Sequence, residues 1–386
     1  MYEAGYKYRL YPTAEQENYL ARTFGCVRVV FNHALQARQQ HYTDHGKGLS
    51  YGDTSALLTQ WKRQDGYAWL SEVSCVPLQQ ALRHLQAAYT SFFKGIAMYP
   101  RFKSKRRRQS AEFTRSAFRL GGDPGKPSVY LAKCARALKI RWSRPLPEGS
   151  DPSTITVSKD PAGRYFISFR VLCAPKVLPT ITKSIGLDMG LVHAVITSDG
   201  QKIDHPRYLK KALSRLKREQ RSLCRKQKGS INREKQRLKV ARLHARVADL
   251  RRDCTHKLTT SLVGRYDVIC MESLSVKNMV KNHHLAQAIH DVAWGEIRRQ
   301  LRYKCRWYGR QLVEIDRFYP STKTCSFCSY VLPEIDRACR AWTCPSCGVV
   351  HDRDVNAAKN VLGAGTALLA SGLGVRPLPV MSGKAV

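Results

Sequence analysis

The sequence predicts a multidomain α+β protein of 386 residues. A β-structure carrying inserted helices covers residues 1 to about 178, and an α/β domain follows. Three observations carry this reading. Strand-like alternation at both ends of the first stretch encloses a long run of helical periodicity. Two apolar runs far apart in the chain end in carboxylates, Asp188 and Glu272, and each is followed by helical patterns. Paired Cys-x2-Cys motifs, Cys325/Cys328 and Cys344/Cys347, then interrupt the second domain.

Residues 6–11 alternate basic with apolar or aromatic side chains, the period of a half-exposed strand. Pro12-Thr13 opens a helix with Thr13 as N-cap, and a second helix is expected over 27–42, broken by the polar, glycine-bearing run 44–48. Residues 49–93 read as further helices, with Leu78, Leu82, Leu85 and Tyr89 on one core-facing stripe. Together these helices make an inserted lobe at about 13–95. Residues 99–119 mix Arg and Lys with Phe102, Phe113 and Phe118. Guanidinium groups grip phosphates and aromatic faces stack on bases, so Arg101, Lys103, Lys105 and Arg106 are candidates for nucleic-acid contact. The plainer alternative is a solvated basic loop packed by its own aromatics. Residues 155–158 and 165–169 flank Asp160-Pro161-Ala162-Gly163, which marks a hairpin, and 173–179 is the expected boundary.

In the second domain, Ile185 and Leu187 form a strand that delivers Asp188 to its end, with a return strand over 193–197. Residues 208–262 read as a basic helical hairpin broken near Gly229-Ser230. Its apolar seam is Val240, Leu243, Val247, Leu250 and Cys254. Residues 268–272 repeat the apolar strand ending in a carboxylate, now Glu272. A helix around Trp294, Ile297, Leu301 and Trp307 and a strand at 312–315 precede the cysteine motifs. After Asp354, a helix over 355–362 is expected to stop at Gly363, leaving a disordered tail at 365–386.

The formal charge of +37, with 66 Lys+Arg against 29 Asp+Glu, is the most informative bulk property. Such self-repulsion calls for a polyanion, which points to nucleic acid without choosing a function. No apolar run reaches the length of a membrane span, and the N-terminus lacks the apolar core of a signal peptide. Thirteen cysteines in so long a chain fit a reducing cytoplasm rather than a disulfide scaffold.

The spacing Cys-x2-Cys-x15-Cys-x2-Cys is the pattern of a structural tetrathiolate Zn2+ site, each short spacer letting one turn present two thiolates. Four sulfur ligands leave no position for substrate. Cys339 is not needed, and His351 could in principle substitute as a ligand. Asp188, Glu272 and Asp354 could meet at one edge of a mixed, ribonuclease-H-like sheet, where their mutual repulsion would call for divalent cations. The alternative reading of each is a turn or cap residue.

On GLDMG at Asp188, MESL-SVKNM at Glu272, YPSTKTCSFC, and CPSCGVVHDRDVNAAKN at Asp354, the chain resembles the TnpB family. These are RNA-guided DNA endonucleases encoded by bacterial insertion sequences and related to type V CRISPR effectors. The resemblance runs from Tyr6 to about Leu362, with YPRFKSK and LRYKCRWYG as weaker supports. It implies a β-barrel-like wedge domain with an inserted helical recognition lobe. A ribonuclease-H-like RuvC nuclease would follow, at 179–318 and 351–364, with a zinc ribbon at 319–350 between its parts. It implies Asp188, Glu272 and Asp354 as a catalytic triad holding two Mg2+ ions, with Mn2+ as a substitute. Asp352 rivals Asp354, but the family uses the second aspartate of Asp-Arg-Asp-x-Asn-Ala-Ala. Cys325, Cys328, Cys344 and Cys347 would hold the zinc. Tyr51, Ser55 and Gln79 are candidates for reading a short target-adjacent DNA motif. The implied partners are a guide RNA from the transposon end and matching double-stranded DNA. One protein monomer per guide RNA, without membrane, is expected in the bacterial cytoplasm at the nucleoid. Ser329 departs from the pattern, standing where a glycine is usual. A guided DNA-binding regulator without cleavage and a basic RNA-binding protein are the rival expectations. The intact acids argue against the first, and GLDMG with MESL against the second.

Overall fold

Nine alternating residues make the strand on which the first unit is assembled. The computed structural model describes residues 1–336 and 339–372, and these divide into two compact units, residues 1–174 and 175–372. In chain order the first unit contains β1 (Tyr2–Leu10), α1 (Ala14–His45), α2 (Tyr51–Arg63) and α3 (Cys75–Phe93). The strands β2 (Gln109–Thr114), β3 (Phe118–Gly121), β4 (Ser128–Leu131), β5 (Ile140–Arg141), β6 (Thr154–Lys159) and β7 (Tyr165–Cys173) complete it. Strand β1 pairs with β7 along its full length, Tyr2 opposite Cys173 and Leu10 opposite Tyr165. The sheet runs β2-β6-β7-β1-β5.

That sheet is open, which corrects the barrel-like expectation. Its edges β2 and β5 do not pair with each other among the described residues. Strand β5 is two residues long and reaches only Arg9 and Leu10, too little ladder to close a barrel. The two helices expected over residues 14–42 are one helix, α1. Thr13 and Gln16 form its capping box, and Tyr19, Leu20, Phe24, Val27, Val30, Phe31, Ala34 and Leu35 bury one continuous stripe through Gly25. A lone glycine costs about 1 kcal/mol in a helix, which that burial outweighs. The chain leaves α1 at Gly46, whose φ of 65° is the left-handed turn a glycine tolerates. Leu78, Leu82, Leu85 and Tyr89 of α3 are buried core, as their spacing predicts.

The second unit begins with β8 (Ser184–Asp188), β9 (His193–Thr197), β10 (Lys202–Asp204), α4 (Tyr208–Cys224) and α5 (Ile231–Arg265). It continues through β11 (Val268–Glu272), α6 (Val276–Met279), α7 (His283–Val292), α8 (Trp294–Tyr308) and β12 (Gln311–Ile315). It closes with β13 (Ala341–Thr343), β14 (Val350–Asp352) and α9 (Arg353–Ala370). Its main sheet runs β10-β9-β8-β11-β12, with β8, β11 and β12 parallel and the β8-β9-β10 run antiparallel.

Period-two alternation sorts the side chains of this sheet. Ile185, Leu187, Ile269 and Met271 join the core formed with Trp294, Ile297 and Leu301 of α8. Gly186, Cys270 and Val313 face the other way, toward α9. On the α8 side Glu314 is neutralised by Arg298 and Arg302. The helical hairpin α4–α5 forms, but its apolar seam is shorter than expected. Val240 and Val247 are buried whereas Leu250 is 39% exposed. Beyond that point α5 commits Leu262 and Val263 to the sheet core instead. Helix α9 does not stop at Gly363 but runs to Ala370, so residues 365–370 are helical rather than tail; the rest of the expected tail beyond residue 372 lies outside the described residues.

Candidate active site

The same alternation aims the acids. Leu187 lies opposite Met271 across the parallel β8–β11 pair, so the next residues, Asp188 and Glu272, end neighbouring strands at one edge. Both share the sheet face of Gly186 and Cys270, the face that α9 covers. Contact there is intimate. A Cβ built on Gly186 would lie 2.0 Å from the Ala358 carbonyl oxygen, and one on Gly365 would lie 2.3 Å from Cys270 Sγ. Helix α9 therefore lies directly on the sheet, and its first turn carries Asp354.

Glu272 and Asp354 both act electrostatically on Asp188. The carboxyl of Asp188 is pushed up to about 7, first by lost hydration and then by the fields of Glu272 and Asp354. The residue as a whole keeps some exposure, but its carboxyl sits deep among protein atoms. Burial raises Glu272 as well, opposed by the Ser321 hydroxyl, which donates to its Oε1 at 2.6 Å. Asp354 accepts from Arg340 Nη1 at 3.0 Å and from Arg353 Nε and Nη2 at 3.1 and 3.0 Å. Asp352 is otherwise engaged. Its Oδ1 caps α9 by accepting from the Asp354 and Val355 amides, both 3.1 Å away, and its Oδ2 accepts from Lys202 at 2.6 Å. Sequence reasoning missed Lys202, Ser321, Arg340 and Arg353. The Asp-Arg-Asp string was the available signal for Arg353; nothing local marked the others.

The four cysteines form one cluster, with ligand atoms within 4.8 Å of one another, compatible with a structural zinc site. Two turns of the same kind present them. Ser329 N–H donates to Cys325 O as Gly348 N–H donates to Cys344 O, each at 2.9 Å. A backbone N–H from Tyr330 holds the Cys328 thiol down to about 7, which favours the thiolate a cation needs. Cys339 is not one of the four; it packs beside them, its thiol donating to Ala341 O at 2.8 Å. His351 is not one of the four; its Nε2 lies 3.0 Å from Cys325 Sγ, beside a ligand rather than in place of one. None of the thirteen cysteines is disulfide-bonded.

The Ser329 departure has a measurable cost. Its φ is 65°, matching the 73° of Gly348 in the other knuckle, and a side chain there costs roughly 1–2 kcal/mol. Ser329→Gly should raise the stability of the folded protein by about 1 kcal/mol, read from melting at fixed zinc. An unchanged or lower melting temperature would contradict it.

The candidate nucleic-acid residues lie in the first unit. Arg101, Lys105 and Arg106 are exposed, while Lys103 is half-buried with Nζ 3.9 Å over the Phe31 ring. Of the three phenylalanines in that segment, only Phe102 is exposed. Phe113 is wholly buried in β2 and Phe118 is buried in β3, because both fall on inward positions of their strands. Tyr51 and Ser55 are half-buried, Tyr51 beneath the Arg83 guanidinium at 5.0 Å, and Gln79 is exposed.

Three family descriptions match the chain. Residues 168–283 match one described as "Probable transposase", 294–361 match "Cas12f1-like, TNB domain", and 1–47 match "Helix-turn-helix domain". The last covers β1 and the single helix α1. A Streptomyces pristinaespiralis protein named "Putative RNA-guided DNA endonuclease" is 51% identical over 96% of this chain and 92% of its own. An Escherichia coli K12 protein named "Putative RNA-guided DNA endonuclease InsQ" is 32% identical over 95% and 93%. Among solved structures, a Cas12f1–sgRNA–target DNA complex aligns with TM-score 0.57 at 11% identity. It covers 93% of this chain and 98% of the Cas12f1 chain, a likeness of fold. No helix among the described residues is long and apolar enough to cross a membrane.

Proposed function

Since the chain belongs to the TnpB-like family of RNA-guided DNA endonucleases, we propose that it cuts double-stranded DNA at sites paired to a guide RNA from its own element. The observation that carries this is the meeting of Asp188, Glu272 and Asp354 on one face of the second unit's sheet. The strand order 3-2-1-4-5, with three antiparallel strands followed by two parallel ones, supports reading that unit as a ribonuclease-H-like RuvC nuclease. A regulator that never cuts would have no use for three acids held together against their own repulsion.

The donor set fits magnesium. Three carboxylates offer only oxygen, the ligand type hard divalent cations take, and Asp188, pushed up to about 7 by burial and then by its two acidic neighbours, is a carboxyl that a bound cation would ionise. Two bound Mg2+ ions, with Mn2+ as a substitute, would activate water and stabilise the leaving oxygen of a phosphodiester. The chain's part is to hold Asp188 and Glu272 at fixed strand ends and Asp354 in the first turn of α9. Arg340 and Arg353 bind the Asp354 carboxylate and limit repulsion. Zinc on Cys325, Cys328, Cys344 and Cys347 has a purely structural role.

Guide RNA and target backbone are held by the excess cationic charge. Sequence is read by base pairing, and the protein reads backbone shape and a short adjacent motif. Arg101, Lys105 and Arg106 are proposed backbone contacts, and Tyr51, Ser55 and Gln79 are proposed motif readers. One protein per guide RNA is the proposed stoichiometry, at the nucleoid. The test is to sequence RNA that copurifies with the protein, then offer a DNA library matched to it with Mg2+. Cuts next to one recurring motif are expected. Absence of copurifying RNA, or cutting indifferent to the match, overturns the reading.

A further inference from the structure

We infer that Ser321 is a positioning residue of the acid centre, holding Glu272 in register, and that Asn356 and Asn360 of α9 fix Ser321 in turn. This rests on the reading of the three acids as a nuclease centre. The Ser321 side chain is not spent on its own turn. In the segment before the first cysteine knuckle, Thr324 does that work, its hydroxyl donating to Pro320 O at 2.8 Å. The Ser321 hydroxyl points instead to Glu272 Oε1 at 2.6 Å, and Ser321 is only 4% exposed. A short hydrogen bond from a buried hydroxyl to a carboxylate fixes one of its two oxygens. Oε2 is then the oxygen left for a cation.

The serine is itself held from above. Asn360 Nδ2 donates to Ser321 O at 2.7 Å and to Thr324 O at 2.6 Å. Asn356 Nδ2 donates to Thr324 O at 2.7 Å, and its Oδ1 accepts from the Ser326 amide at 2.9 Å. These asparagines stand four residues apart, one above the other on the same helix face, and both are buried. Buried amides cost free energy unless paired, and all these pairs go to one turn. Asp354 lies two residues before Asn356 on the same helix. Thus α9 places one acid directly and steadies a second through a turn and a hydroxyl. A partner beyond the ligands that orients a metal-binding carboxylate is commonly worth 10–100-fold in metal affinity or activity.

The test compares Ser321→Ala with Ser321→Thr in the guide-bound protein. For the alanine variant we expect single-turnover cleavage to fall by about 10-fold and half-maximal Mg2+ to rise several-fold. The melting increase that Mn2+ gives without DNA should shrink, while zinc content and matched-DNA binding stay unchanged. Ser321→Thr should restore all three. Ser321→Cys, of similar shape and a weaker donor, makes the same comparison should the alanine variant fold poorly. If wild type cleaves while Ser321→Ala keeps its Mg2+ dependence and Mn2+ response, the role of Ser321 is overturned alone. Equal defects in the alanine and threonine variants overturn it too. A wild type that neither cleaves nor gains stability from Mn2+ overturns the nuclease reading, and this inference with it.

Discussion

Asp188→Asn is expected to abolish guided cleavage, by about 10²–10³-fold or more, while making the metal-free protein harder to melt. The two effects share one cause. In the folded, metal-free chain the Asp188 carboxyl is pushed from 3.8 to about 7, chiefly by burial and then by Glu272 and Asp354. Between about pH 4 and pH 7 the folded state keeps a proton that the unfolded chain has released. Stability therefore falls as pH rises through that window and levels off above it. The total is on the order of 4 kcal/mol, and divalent cations should restore it at neutral pH. Asparagine has no charge to bury, so the variant should lose the Asp188 part of the pH slope, leaving the part from the burial-raised Glu272, and most of the Mg2+-induced rise in melting. Guide-RNA and matched-DNA binding should persist. Retained cutting, or a variant that melts earlier without metal, would remove Asp188 from the acid centre.

Cys344→Ser is expected to cost both fold and activity. Cys344 is almost fully buried in the thiol cluster and packs with Trp342. It follows directly after β13, which pairs with β14, and β14 runs straight into the first turn of α9. Losing one thiolate should lower zinc from about one per chain to a minor fraction. It should also open residues 319–352 to proteolysis and take cleavage with it, because the Asp354 helix loses its anchor. Metal analysis, limited proteolysis and the cleavage assay read the three effects. A folded, zinc-free, fully active variant would sink the structural role of the cluster.

Much of this site was legible in the chain, because strand period and ligand spacing are local. Ile185 and Leu187 announced the strand that ends in Asp188, residues 268–271 did the same for Glu272, and the two cysteine pairs gave their own spacing. What brings the acids together is not local. It depends on β8 and β11 lying side by side across an intervening helical hairpin, and on α9 seating on Gly186. The missed features follow the same line. Gly363 looked like a stop because a glycine often ends a helix, but α9 is carried past it by Leu362, Leu368 and Leu369 packing on the sheet. Phe113 and Phe118 looked like stacking platforms until strand registers placed them inside. Ser321 was one hydroxyl in a polar turn, and only the folded chain brings it to Glu272.

The seating of α9 on Gly186 also has a meaning in time. A growing chain folds its earlier segments first, and Asp188 and Glu272 are both made well before residue 353. Until α9 has been synthesised and laid on the sheet, the nascent protein carries nearly all of its Lys and Arg but lacks Asp354. On the nuclease reading, the order of synthesis is itself a safeguard: the chain can hold RNA before it can cut DNA.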